Sequence, residues 1–319
     1  MRVPLLASML FTVIPAATAA AQGGGGSGST APSVKLSGYI QGRETYQEGP
    51  GLSATINRAR LAAGGSVNGG IAWRIQGEFR TGNVGTGKAS VSLQDAYVRW
   101  THEHLGVQVG QFKTPFTSEF LRSLTEVETA DRATAVDSLA PKRDIGVMAD
   151  YTAVGRATLS AGVFNGNGQN VTANSDTTLL GVARVSVRVV PFLAIGVNAA
   201  SYFGDSTRYG ADVNLEAPWV IARGEWIGQH REAGGENDAG WYALLASPVR
   251  PWLQPVLKLE WFDRPAVAGG SQKNRAWTAG VNLSPWGRST RFTLEYVSRK
   301  VGEPGIRRGL GLAQAQVVF

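Results

Sequence analysis

The chain has 319 residues, a formal net charge of +7 at neutral pH, 41 glycines and no cysteine. The missing cysteines exclude a disulfide scaffold, and the lack of long Ala-Leu-Glu-Lys runs argues against a helical bundle. Mean hydropathy is -0.09, a neutral value that suits a barrel whose side chains alternate between lipid and water.

Met1-Arg2 precedes an apolar stretch from Val3 to Ile14 and the small-residue run Ala16-Ala17-Thr18-Ala19-Ala20-Ala21. This pattern predicts a secretory signal over 1–21 with cleavage after Ala21. A dozen apolar residues fall short of the about 20 that a transmembrane helix needs. Export removes nucleic acid as the explanation of the basic charge. Residues 22–33, rich in Gly, Ser, Thr and Ala, are expected to be a flexible lead, and 34–319 the folded body.

From Val34 onward the dominant period is two residues. Ile71, Trp73, Ile75 and Phe79 alternate with Arg74, Gln76, Glu78 and Arg80; Phe292, Leu294 and Tyr296 alternate with Arg291, Thr293 and Glu295. Strands are expected near 34–46, 52–66, 70–81, 89–101, 104–112, 144–152, 156–165, 177–189, 191–203, 207–216, 218–229, 239–247, 251–263, 274–284, 288–300 and 309–319, sixteen in all. Many run about 10 to 13 residues, near the length that spans a bilayer as a tilted strand. Short connections such as 67–69, 102–103 and 153–155 alternate with longer ones such as 82–88, 113–143 and 230–238. An even strand count with short turns on one rim and long loops on the other predicts an all-β, transmembrane antiparallel β-barrel of about 16 strands. Hydrocarbon offers no hydrogen-bond partners, so a closed barrel, which leaves no free edge, is the β-architecture that can cross it. A soluble sandwich also alternates, but it has neither the leader nor an ending like Ala313, Ala315, Val317, Phe319. That terminal Phe319 resembles the C-terminal signature that the barrel-assembly machinery of bacterial outer membranes reads.

About sixteen strands enclose water. Alternation turns fourteen bases inward: Lys35, Arg43, Arg58, Arg60, Arg74, Arg80, Arg99, Arg184, Arg188, Arg208, Arg223, Lys258, Arg291 and Arg299. The same rule turns seven acids inward: Glu78, Asp95, Asp212, Glu216, Glu225, Glu260 and Glu295. The segment 114–143 is too long for a turn and too polar for a strand, and is expected to fold into the lumen as a constriction, with Lys113, Arg122 and Arg132 among its donors. An excess of guanidinium on a low-dielectric wall concentrates anions. The residues expected to line the pore and meet anions are Arg58, Arg60, Arg74, Arg99, Lys113, Arg122, Arg132, Arg184, Arg188, Arg223, Lys258 and Arg291.

The stretch Val107-Gln108-Val109-Gly110-Gln111-Phe112-Lys113-Thr114-Pro115-Phe116, followed by Glu119 and by Pro141-Lys142-Arg143-Asp144-Ile145-Gly146-Val147, resembles the signature region of the phosphate-selective porin O and P family. Arg58-Ala59-Arg60-Leu61 and Asp95-Ala96-Tyr97-Val98 resemble its early strands. The resemblance implies a sixteen-stranded, trimeric channel of the Gram-negative outer membrane that passes phosphate or related anions.

Other readings carry less. Gly82 to Lys88 approaches a phosphate-binding loop, but Ala89 stands where Ser or Thr is required and a strand follows instead of a helix. His102-Glu103-His104 falls in a tight turn with no third metal ligand in view, so no metal and no cofactor are expected. A membrane esterase with a Ser-His dyad is an alternative for three histidines without a Gly-x-Ser-x-Gly elbow. A general porin and a barrel that tethers the membrane to the cell wall complete the set. Lipid, small anions, sister subunits and the assembly machinery are the expected partners.

Overall fold

In the computed structural model, sixteen antiparallel strands close a barrel in strict chain order. The structure describes residues 34–80, 89–153, 155–171, 174, 178–232, 237–264, 272–301 and 306–319. The leader, the glycine-rich lead and the Gly82 to Lys88 stretch lie outside the described residues. The strands are β1 (Val34–Gln47), β2 (Gly51–Val67), β3 (Ile71–Arg80), β4 (Ser90–His102), β5 (Leu105–Lys113), β6 (Arg143–Ala153), β7 (Ala157–Phe164) and β8 (Leu180–Val190), continuing with β9 (Leu193–Tyr202), β10 (Ser206–Ala217), β11 (Val220–Arg231), β12 (Asp238–Ala246), β13 (Leu253–Arg264), β14 (Gln272–Leu283), β15 (Thr290–Val301) and β16 (Ile306–Val318). Two short helices, α1 (Ser118–Leu121) and α2 (Thr134–Leu139), sit in the β5–β6 connection.

Closure is made by β1 on β16, with Tyr39 opposite Val318, Gln47 opposite Leu310, and a reciprocal backbone pair between Gly38 and Phe319 at 2.8 and 3.0 Å. No edge strand is left, which is the condition for a sheet in hydrocarbon. None of the helices among the described residues is long and apolar enough to cross a membrane; the strands cross instead.

Burial is inverted relative to a soluble protein. Gln41, Gln76, Gln108, Asn198, Glu260, Gln314 and Gln316 are buried, whereas Leu36, Ile75, Val109, Leu159, Val197, Leu257 and Leu294 are exposed on the outer wall. Buried polar residues alternating with exposed apolar ones exclude the sandwich, whose core would be apolar. Aromatic residues form two bands: Phe192, Trp219, Trp252 and Trp286 at the short-turn rim, and Tyr209, Trp226, Trp241, Trp277 and Tyr296 toward the other. Such girdles mark the two lipid–water interfaces.

Strict alternation breaks at bulges between Gln41 and Gly42 opposite β2, between Gln76 and Gly77 opposite β4, and between Arg188 and Val190 on β8. A different device appears at Gly110, whose φ is +125° and where a Cβ would stand 2.2 Å from the Ala96 carbonyl oxygen. Only glycine tolerates both constraints. Gly110→Ala is expected to lower the thermal midpoint of the folded barrel, read from its heat-modifiable gel migration, by an amount corresponding to about 1–3 kcal/mol. An unchanged midpoint would contradict this account of the β4–β5 contact.

Candidate pore constriction

The β5–β6 connection, residues 114–142, runs inside the barrel. Its base is pinched by Thr114, whose backbone N–H and hydroxyl both donate to the Lys142 carbonyl at 2.9 Å. The Thr117 hydroxyl accepts from the Phe120 N–H at 3.2 Å and so caps α1. At the far end of α2, Arg208 donates at 2.9 Å to the Leu139 carbonyl, which the helix end leaves without an intrahelical partner.

One side of this loop is apolar. Phe116, Phe120, Val136 and Leu139 pack with Phe112, Met148, Phe164, Leu180, Val182, Ile227, Tyr242, Leu244 and Phe262, all from β5 to β13. The lumen therefore contains a hydrophobic core, and this half of its cross-section is filled. The other side is held by side chains from the barrel wall acting on the loop backbone. Glu225, Glu295 and Glu260, from β11, β15 and β13, accept from the N–H groups of Glu119, Ala130 and Thr134 at 2.5, 2.9 and 2.7 Å. Lys258 and Asn282 donate to the carbonyls of Asp131 and Glu128 at 3.0 and 2.7 Å. Arg43 of β1 grips the Asp131 carboxylate with two bonds of 2.9 Å. The loop thus reaches across the lumen from β5 to β16 and back to β1. Contacts this numerous make it a fixed partition rather than a mobile flap.

Space remains beside the partition. Toward the short-turn rim lies a cavity of 1130 Å³ bordered by Arg99, Thr101, Asp150, Thr158, Arg250, Arg288 and Arg291 among others. On the β1–β4 side, Arg43, Arg58, Arg60, Arg74 and Arg80 stand with Lys113, Arg132 and Arg143, against the carboxylates Glu78, Asp95 and Asp131. These groups feel one another: burial lowers the Arg132 guanidinium to about 10, Glu119 and Asp137 oppose that, and Arg58 and Arg143 add to it.

The twelve cations expected to line the pore, nine from alternation and three from the loop segment, fall into different surroundings. Most are matched to a carboxylate on another strand, on the same strand or in the loop. Arg60 donates to Glu78 at 2.9 and 2.6 Å, Arg99 to both oxygens of Asp150 at 2.7 and 2.8 Å, and Arg184 to both oxygens of Asp212 at 2.5 and 2.9 Å. Arg223 binds Glu128 at 2.9 and 2.7 Å and also pairs with Glu216, while Arg122 takes the other oxygen of Glu128 at 2.9 Å. Arg74 is 3.8 Å from Asp95 and Lys258 is 3.4 Å from Glu260. Arg188 occupies an inward register position opposite Ala194.

Arg58, Lys113, Arg132 and Arg291 have no carboxylate partner among the described residues. Lys113 donates to the carbonyls of Leu121 and Arg122 at 3.0 and 2.9 Å. Arg132 donates to those of Glu119, Phe120 and Arg122 at 3.1–3.2 Å. Both cations flank the Phe120 ring, at 5.6 and 4.8 Å from its centroid. Carbonyl dipoles hold these two charges in place without cancelling them. Arg291 reaches Gln316 at 3.4 Å.

Two acids that matter were not counted on the wall from sequence. Asp150 follows the alternation of β6 with Met148 and Thr152, so its inward position was readable. Glu128 lies in the loop, where periodicity says nothing.

The family model of phosphate-selective porin O and P matches residues 39–235. A search of the curated proteins finds no match to the chain. Among solved structures, the chain is similar to OmpT, an outer membrane protein of Vibrio cholerae in its trimer form, with a TM-score of 0.67, 12% identity, 91% of this chain and 100% of that one covered. It is similar to the anion-selective porin from Comamonas acidovorans with a TM-score of 0.65, 15% identity, and 91% and 100% covered. The Salmonella typhi OmpF complex with daunomycin gives 0.67, 11% identity, and 90% and 98% covered. At these identities the structural likeness speaks for the barrel alone, while the sequence match extends over more than half of the chain. Sixteen closed strands, an inverted burial pattern, a partitioned lumen and that match together place the chain in the phosphate-selective porin O and P family of outer-membrane barrels.

Proposed function

We propose that the protein is an anion-preferring diffusion channel for phosphate or related oxyanions, working as a homotrimer without cofactor. The observation that carries this is the cluster of Arg58, Lys113 and Arg132 beside the loop, three cations with no carboxylate partner among the described residues. Cations held by backbone carbonyls keep their field, and low-dielectric walls concentrate it. The paired arginines deeper in the lumen contribute transverse dipoles and polarity rather than net charge, which spreads weak sites along the path. The trimer form of the Vibrio barrel and the anion selectivity named for the Comamonas one are in keeping with this reading. An exported leader over 1–21 and recognition of the exposed Phe319 by the assembly machinery belong to the same picture.

A channel rather than a hydrolase is favoured by the surroundings of the histidines. His102 stacks on Trp100, His104 sits edge-on to Tyr151, and His230 faces Asn237 at 3.2 Å. In planar bilayers under a KCl gradient, the reversal potential is expected to favour chloride over potassium; a preference for potassium rejects the proposal. Millimolar phosphate is expected to reduce the chloride current. Unaltered current would reassign the protein as a general anion porin.

A further inference from the structure

The outer wall carries charges that the channel does not use. On β14 the outward-facing residues are Arg275, Trp277 and Ala279; on β15 they are Tyr296 and Lys300. Arg275 and Lys300 are directly opposite in the register, both exposed, and Arg307 of β16 is the next position along the same rung. Among the described residues neither Arg275 nor Lys300 makes an ion pair. Among the described residues, the outward acid on the neighbouring strand, Asp263, stands opposite Lys273 one rung further out. Like charges directly across an antiparallel pair repel, so this row is unfavourable unless an anion lies against it.

Its depth says what anion. Beside it, Trp261 is the register partner of Arg275, and further along the same strands Trp277 packs against Tyr296 with ring centroids 5.4 Å apart. These rings belong to the aromatic band on the long-loop side, where acyl chains give way to headgroups. A cationic row immediately beyond an aromatic band meets lipid phosphates at the membrane surface, and guanidinium and ammonium groups there bind them with charge-assisted hydrogen bonds.

We propose that Arg275 and Lys300, beside Trp261 and beyond Trp277 and Tyr296, form a site for the phosphate of a lipid headgroup in the outer leaflet, separate from the pore. The test uses the whole protein reconstituted in phosphatidylcholine vesicles with diphosphoryl lipid A, with dephosphorylated lipid A, or with millimolar inorganic phosphate alone. The thermal midpoint by gel migration is expected to rise with the fraction of diphosphoryl lipid. Arg275→Gln with Lys300→Gln should require about tenfold more of that lipid for the same rise, while Arg156→Gln, which removes a charge at the opposite rim, should leave the response intact. An equal rise with dephosphorylated lipid, a rise with inorganic phosphate alone that the double variant loses, or an unaltered lipid response in the double variant overturns the site; a rise with inorganic phosphate that the double variant keeps belongs to the pore, and the lipid comparison then decides. A changed oligomer size with the lipid response preserved also overturns it, in favour of a contact between copies. If the double variant does not fold, the comparison of the two lipids on the unmodified protein still decides.

Discussion

Changing Arg58 to glutamate is expected to move the channel toward cations by roughly tenfold in the chloride-to-potassium permeability ratio, because the substitution alters the local charge by two where water is confined. Arg58 is the right residue to change. It is inward on β2, and no carboxylate among the described residues is hydrogen-bonded to it; Asp131, which feels its field, is held by Arg43. Arg60, two positions on, is a poor choice: Glu78 is fully buried, Arg60 donates both hydrogen bonds to one of its carboxylate oxygens, and only the more exposed Arg80 holds the other, at 3.0 Å, so removing the Arg60 guanidinium strips a buried acid of its main partner. Breaking a buried pair in that way costs about 3–5 kcal/mol and would confuse selectivity with folding. The Arg58→Glu shift should be large at about 0.01 M salt and small at about 1 M, where the screening length falls to about 3 Å. Identical reversal potentials for the two proteins at low salt would remove Arg58 from the selectivity mechanism.

The reason Arg58 could not be separated from its neighbours in the sequence lies in how charges are cancelled. Alternation settles which face a residue occupies, and it assigned Arg58, Arg60, Arg99, Arg184 and Arg223 to the lumen alike. Cancellation depends on register between strands and on the loop: Asp150 meets Arg99 from 51 residues away, and Glu128 meets Arg223 from 95. A count of fourteen bases against seven acids therefore overstates the free charge, because the partners Asp150 and Glu128 stood outside the count.

The barrel itself was legible because lipid imposes a simple rule on one face of every strand. Ile71, Trp73, Ile75 and Phe79 on β3 follow it without exception, and so do Phe292, Leu294 and Tyr296 on β15. The filled half of the lumen was harder to see, since the rule says nothing of the inner face. A trace was present nonetheless. On β12, Trp241-Tyr242-Ala243-Leu244-Leu245-Ala246 is apolar at both parities, which a water-lined wall does not require. Tyr242 and Leu244 turn out to be buried against the loop. Phe116, Phe120, Val136 and Leu139, scattered through a segment rich in charges, supply the other half of that contact without any periodic signal.

The partition's stability should depend on pH through Glu128, with a sign fixed by its surroundings. Burial alone would raise this carboxyl, but Arg122 and Arg223 overcome that effect and hold it down at about 2. A folded value below the ordinary carboxylate range means that the ionised form stabilises the fold; the contribution is complete above about pH 5 and fades as pH falls toward about 2. Glu128→Gln is accordingly expected to cost on the order of 3 kcal/mol at neutral pH. The difference from the unmodified protein should narrow below about pH 4 and close near about pH 2. Loosening of the loop should appear at neutral pH as larger and noisier single-channel currents, since Glu128 joins the loop to Arg223 on the wall. Glu119 supplies the opposite sign within the same loop. Burial pushes its carboxyl up, although Lys258, Arg122 and the Ala133 N–H oppose this, so its ionisation costs stability as pH rises. Glu119→Gln should therefore converge with the unmodified protein at low pH and lose less, or gain, at high pH. Parallel pH curves for both variants would show that the loop is held by its apolar face alone, with Phe116, Phe120 and Leu139 sufficient to keep it in the lumen.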